Sequence, residues 1–95
     1  MPRDVVIPIA TRVDDPDVAL IERAKAGDGS AFERILEPRF WRLSRLALSI
    51  TANEADANDA IQNGCLRAWR ELPQLRDVSR FDVWLWRIVV NACHD

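Results

Sequence analysis

Apolar residues recur at helical spacing along most of the chain, and residues that start and stop helices divide them into four stretches. Val18, Leu20, Ile21 and Ala24 make the first stripe. Asp15 suits its N-cap, Pro16 its first position and Asp17 the positive end of its macrodipole. Gly27 fits a left-handed C-cap, after which Asp28 can cap the next helix at once. The second stretch carries Phe32, Ile35, Leu36, Phe40, Leu43, Leu46, Ala47 and Ile50, and Pro38 inside it predicts a kink or break near Glu37. Asn53 with Asp56 predicts a capping box opening a third helix. Its stripe is Ala57, Ala60, Ile61, Gly64, Ala68 and Leu72, with Cys65 and Trp69 beside it. Small residues dominate this stripe, so another helix can approach closely and the helix should lie at the centre of a bundle. Pro73 ends it, "PQLRDVS" connects, and Ser79 with Asp82 predicts a second capping box opening a fourth helix at Arg80 or Phe81.

The fourth stretch, "RFDVWLWRIVVNACHD", presents Phe81, Trp84, Leu85, Ile88, Val89 and Ala92 on one face, which makes Trp84 the core tryptophan. Trp86 projects to the other side near Val83 and Val90, while Arg87, Asn91 and His94 form a polar row. An aromatic beside an arginine and an amide can stack on an unpaired base and hydrogen-bond its edge. Packing of Trp86 on a neighbouring domain or on the N-terminal segment explains the same pattern, and both readings stay open. Arg39, Arg42 and Arg45 share the outer side of the second stretch and read as a solvated face.

Good helix formers fill the middle of the chain, tyrosine is absent and no strand-like alternation persists, so the fold class is all-α, a compact bundle of about four helices. Residues 1–14 are expected to be a flexible N-terminal tail and residues 15–95 the helical domain. "VVIPIA" near the start is too short for a signal-peptide core, and no apolar run approaches the roughly 20 residues that span a bilayer. A cytoplasmic protein without membrane contact is expected. Cys65, Cys93 and the one histidine give no disulfide framework or metal-ligand spacing, and no nucleophile stands beside a base. No cofactor, metal or catalytic activity is therefore expected. The net charge of −2 argues against binding duplex DNA unaided. That charge is uneven: residues 51–63 hold Glu54, Asp56 and Asp59 without a cation, whereas residues 66–80 hold Arg67, Arg70, Arg76 and Arg80 against Glu71 and Asp77. Two surfaces of opposite sign suggest two partners.

"LIERAKAGDGSAFERIL", "ADANDAIQNGCLRAWREL" and "RFDVWLWRIVVNACHD", in this order and spacing, resemble region 2 of the extracytoplasmic-function (ECF) sigma factors of bacterial RNA polymerase. The resemblance covers roughly residues 17–95. It implies a sigma-factor role in transcription initiation, with the third helix docking on the β′ coiled coil of the polymerase through Asp59 and Gln62, supported by Asp56. A carboxylate can take a bidentate bond from an arginine, and an amide three residues on lies on the same face. It also implies that the loop Leu75, Arg76, Asp77, Val78, Ser79 and Arg80, with Trp86, Arg87 and Asn91, binds the non-template strand of the promoter minus-ten element and holds a flipped base. An anti-sigma factor is a further implied partner.

The family usually has Gln-Glu-Ala-Phe where this chain has Gln62, Asn63, Gly64 and Cys65. The acid is lost, a helix interior gains a glycine that costs about 1 kcal/mol relative to alanine, and a buried aromatic shrinks to a thiol. The family also continues past the position of Asp95 with a basic stretch, a linker and a helix-turn-helix domain, so an excised domain or a truncated product is expected. An alternative function stays open with the first: a truncated paralogue acting only as a protein-interaction module for β′ or an anti-sigma factor.

Overall fold

The computed structural model describes residues 16–95, so the expected tail and the Asp15 cap lie outside the described residues. Helix α1 is Pro16–Lys25, α2 is Gly29–Leu36, α3 is Phe40–Thr51, α4 is Glu54–Glu71 and α5 is Phe81–Cys93. Short 3₁₀ turns fill Glu37–Arg39, Leu72–Gln74 and Val78–Arg80. The bundle is all-α, with the predicted second helix divided in two at Pro38. Among the described residues no helix is long and apolar enough to cross a membrane.

Local chemistry sets most of these boundaries. Gly27 takes φ +107°, which a side chain would resist, and Asp28 then accepts from the Ser30 and Ala31 amides as the N-cap of α2. Arg23 closes on the same carboxylate at 2.8 Å. The Ser30 hydroxyl, Arg23 and the Ala31 amide hold the Asp28 pKa at about 2, below the ordinary 3.8. A depressed carboxylate stabilises the fold above its ordinary pKa, and that stability is lost as pH falls through the folded value. Asp28→Asn, which can still cap, should therefore flatten the pH dependence of unfolding between 3.8 and about 2. Acid-titrated urea denaturation checks this, and an unchanged slope would contradict it.

Asn53 caps α4 by accepting from the Asp56 amide at 2.9 Å. The reciprocal arm of the box is made differently, because the Asn53 N–H turns back to the Thr51 hydroxyl at 3.4 Å. Asp56 is consequently exposed. The second expected capping box does not form. Asp77, not Ser79, is the cap: it accepts from the Ser79 amide and hydroxyl and closes the turn Val78–Arg80. Asp82 instead faces Arg39.

The break at Pro38 also changes which side chains are buried. Three residues of a 3₁₀ turn advance about 360°, against about 300° in an α-helix, so the face of α3 is rotated from the continuous stripe the spacing predicts. Phe40, expected in the core, is 53% exposed, while Leu43 and Ala47 are buried. Arg39, expected on a solvated face, is drawn inward to a side-chain exposure of 16%. It bonds Asp82 at 2.5 Å, Asp17 at 2.9 Å and the Ile35 carbonyl at 2.8 Å, and lies 5.5 Å from the Phe81 ring centre. Burial alone would lower its pKa, but the two carboxylates outweigh that and raise it.

The main core joins Ile21, Phe32, Ile35, Leu43, Leu72, Phe81, Leu85 and Val89, and a smaller cluster of Ala47, Ala57 and Ile61 extends it. Trp84, expected at the centre, is half-buried at the margin with its ring 5.6 Å from Phe81. Phe81 holds the central place. Cys65 and Cys93 are free, half-buried thiols whose pKa values burial pushes up. The predicted close approach occurs at Gly64, where an added Cβ would stand 3.2 Å from Val89 Cγ2 and 3.3 Å from Val89 Cα.

Candidate functional site

On α4 the buried stripe Ala57, Ala60, Ile61, Gly64 and Ala68 faces the bundle, leaving Asp56, Asp59 and Gln62 exposed. Asp59 and Gln62 are three residues apart, so they share a face one turn long. Leu66, one turn beyond Gln62, is 57% exposed and belongs to no expected site. Its signal was legible: an apolar residue outside the small-residue stripe. With Phe32, Glu33, Gln62, Cys65 and Trp69 it borders an open groove of about 510 Å³ between α2 and α4. Phe32 and Trp69 both line it, their ring centres 5.2 Å apart. The arrangement offers a carboxylate and an amide for a basic partner, with an apolar contact alongside.

The loop at residues 75–80 enters α5 directly. Its members divide by placement. Leu75 is buried with the core, and Val78 and Ser79 are half-buried. Asp77 is occupied in capping the turn, and its pKa is held down by the Ser79 hydroxyl and amide. Arg76 and Arg80 are exposed. On α5, Arg87 and Asn91 are exposed one turn apart, and Trp86 is 43% exposed beside Arg87. Arg87 and Asn91 form a row that can meet phosphate and a base edge, and Trp86, about 100° round the helix from Arg87, presents an accessible indole on the flank of that row that can meet a base plane.

Two residues that hold this loop were not foreseen. Lys25, at the end of α1, donates to the Leu75 carbonyl at 2.5 Å across fifty residues of sequence. Arg39 reaches Asp82 across forty-three. Neither pairing has a local sequence signal, because both partners are fixed by the tertiary fold.

Comparison with known proteins gives the ancestry of this arrangement. Residues 41–95 match the family described as Sigma-70 region 2. The ECF RNA polymerase sigma factor SigM of Mycobacterium tuberculosis is 37% identical over 84 residues, covering 88% of this chain and 43% of the relative. RNA polymerase sigma factor NccH of Alcaligenes xylosoxydans is 34% identical, covering 85% of this chain and 45% of its own. The ECF RNA polymerase sigma-E factor of Haemophilus influenzae is 35% identical, covering 80% and 40%. The chain thus spans less than half the length of these curated relatives. No solved structure gives a significant match. The match over α3 to α5, together with the helical bundle that carries it, makes this chain a member of the sigma-70 region 2 family, a region 2 domain of the ECF sigma-factor type.

Proposed function

We propose that the chain serves transcription initiation as the sigma-factor module that docks on the β′ coiled coil of RNA polymerase and recognises and melts the promoter minus-ten element. The observation that carries this reading is the pairing of two exposed polar faces on helices packed against each other: Asp59 and Gln62 on α4, and Arg87, Asn91 and Trp86 on α5. Asp56 and Asp59 attract a basic helix, Gln62 fixes its register, and Leu66 supplies apolar contact. Arg76, Arg80 and Arg87 hold non-template phosphates, Asn91 addresses a base edge, and Trp86 walls the flipped base. Leu75, Asp77, Val78 and Ser79 shape the loop and present its backbone. Extrusion of a base costs a few kcal/mol, which a ready pocket offsets without chemistry on the base. An anti-sigma factor that covered either face would silence the module.

A paired experiment tests this. Asp59→Ala with Gln62→Ala should weaken binding to a β′ coiled-coil fragment several-fold without loss of helicity, as expected when charge-assisted contacts are removed. Asn91→Ala should leave that affinity intact but reduce capture of single-stranded minus-ten DNA by the chain assembled with core polymerase, by roughly 1–3 kcal/mol. Normal docking with no strand capture even by the unaltered chain would favour the interaction-only module.

A further inference from the structure

The loop of residues 75–80 is fastened at both ends from parts of the bundle that carry neither face. At its first residue the Leu75 side chain is buried and its carbonyl accepts from Lys25 of α1 at 2.5 Å. Two residues past its last, Asp82 receives Arg39 from the turn between α2 and α3, and Arg39 is itself braced by Asp17 and the Ile35 carbonyl. Between these points the loop closes on itself: Arg80 N–H donates to the Asp77 carbonyl at 2.9 Å, and Asp77 accepts from the Ser79 hydroxyl at 2.6 Å. Such a segment meets its ordering cost during folding, so a strand that binds it does not meet that cost again.

We propose that Lys25 and Arg39 are positioning residues for strand capture: they act through the start of the loop and the first turn of α5, fixing the loop relative to the helix that carries Arg87 and Asn91 before the strand arrives. This rests on the promoter-binding function proposed for the same face. Both side chains point their charge into the protein's own acceptors. Lys25 is half-buried against the Leu75 carbonyl, and Arg39 is committed to two carboxylates and a carbonyl. Their contribution to strand binding is therefore conformational.

Lys25→Met keeps the aliphatic stem and removes the donor, and Lys25→Arg restores one. With core polymerase, Lys25→Met should weaken capture of a fluorescent single-stranded minus-ten oligonucleotide roughly five- to tenfold, the size of one ordinary hydrogen bond. Affinity for the β′ fragment should stay unchanged and the thermal midpoint should fall by only a few degrees, amide exchange in residues 75–80 should accelerate, and Lys25→Arg should recover capture. Arg39→Lys, which keeps the charge but loses the fork, should show the same loss of capture with docking intact, accompanied by a lower thermal midpoint because a largely buried ion pair is weakened, and it guards against a failure peculiar to residue 25. Asn91→Ala is run beside them. If it loses capture while Lys25→Met and Arg39→Lys do not, the positioning role is overturned and promoter binding stands. If none of the three loses capture, the strand is held elsewhere and both the positioning role and the assignment of Asn91 fall; if the unaltered chain captures no strand, promoter binding itself falls. Parallel loss of capture, docking and thermal midpoint would make both residues ordinary structural pins and would also overturn the proposal.

Discussion

Phe81→Ala is expected to cost about 3–5 kcal/mol, the range for truncating a large buried aromatic. Phe81 is fully buried, tilted against Trp84 at 5.6 Å and lies under the Arg39 guanidinium at 5.5 Å. Truncation opens a cavity where α5 begins and removes the ring over which the Arg39 bridge is built. Folded domains hold roughly 5–15 kcal/mol in total, so the variant should be close to unfolding at ambient temperature. Urea denaturation should rank the three aromatic truncations on α5 in order of burial. Phe81→Ala should lose most, the half-buried Trp84→Ala less, and Trp86→Ala, at 43% exposure, least. A greater loss for Trp84→Ala than for Phe81→Ala would restore Trp84 to the centre and refute the helical phase of α5.

Gly64→Leu should be nearly as damaging. On propensity alone a helix-interior glycine is a defect, and alanine would gain about 1 kcal/mol. The α5 backbone reverses that reading. A Cβ at Gly64 stands 3.3 Å from Val89 Cα and 3.7 Å from Ala92 Cβ, so a larger side chain has nowhere to go unless α4 and α5 part. Forcing extra methylenes into such a contact typically costs about 1–3 kcal/mol and sometimes more. Gly64→Ala should gain less than its propensity predicts, since Val89 must yield by a few tenths of an ångström. Thermal midpoints in the order wild type near Gly64→Ala, well above Gly64→Leu, are the expected result. A Gly64→Leu protein as stable as wild type would show that the helices are not held at this distance. A glycine at this position therefore suits the close packing of α4 on α5.

What could be read from the sequence was local. Caps at Asp28 and Asn53, the stop at Gly27 and the interruption at Pro38 depend on a few adjacent residues, and each forms as the residue types dictate. Asp59, Gln62, Arg87 and Asn91 fall on exposed faces because helical period alone puts them opposite the stripes. The errors have a common origin in geometry that period does not carry. Phe40 was misplaced because a 3₁₀ turn rotates the helix after it, and Arg39 because its partners come from both ends of the described chain. Ser79 and Asp82 had the right spacing for a capping box, but Asp77 and Arg39 reached them first. Trp84 and Phe81 share one face, and which of them lies deeper depends on how α5 crosses α4.

The stretch matched by the sigma-70 region 2 family and the unit that folds do not have the same edge. The match begins at Trp41, whereas Ile21, Ala24, Ala31, Phe32 and Ile35 are all buried in the same core as Phe81 and Leu85. A fragment trimmed to the matched residues would expose the inner sides of Leu72, Phe81 and Val89 to water and would lose Lys25 and Arg39, which hold the Leu75 carbonyl and Asp82. Any dissection of this domain should therefore be cut ahead of α1, because α1 and α2, which lie outside the family match, complete the core on which α3 to α5 rest.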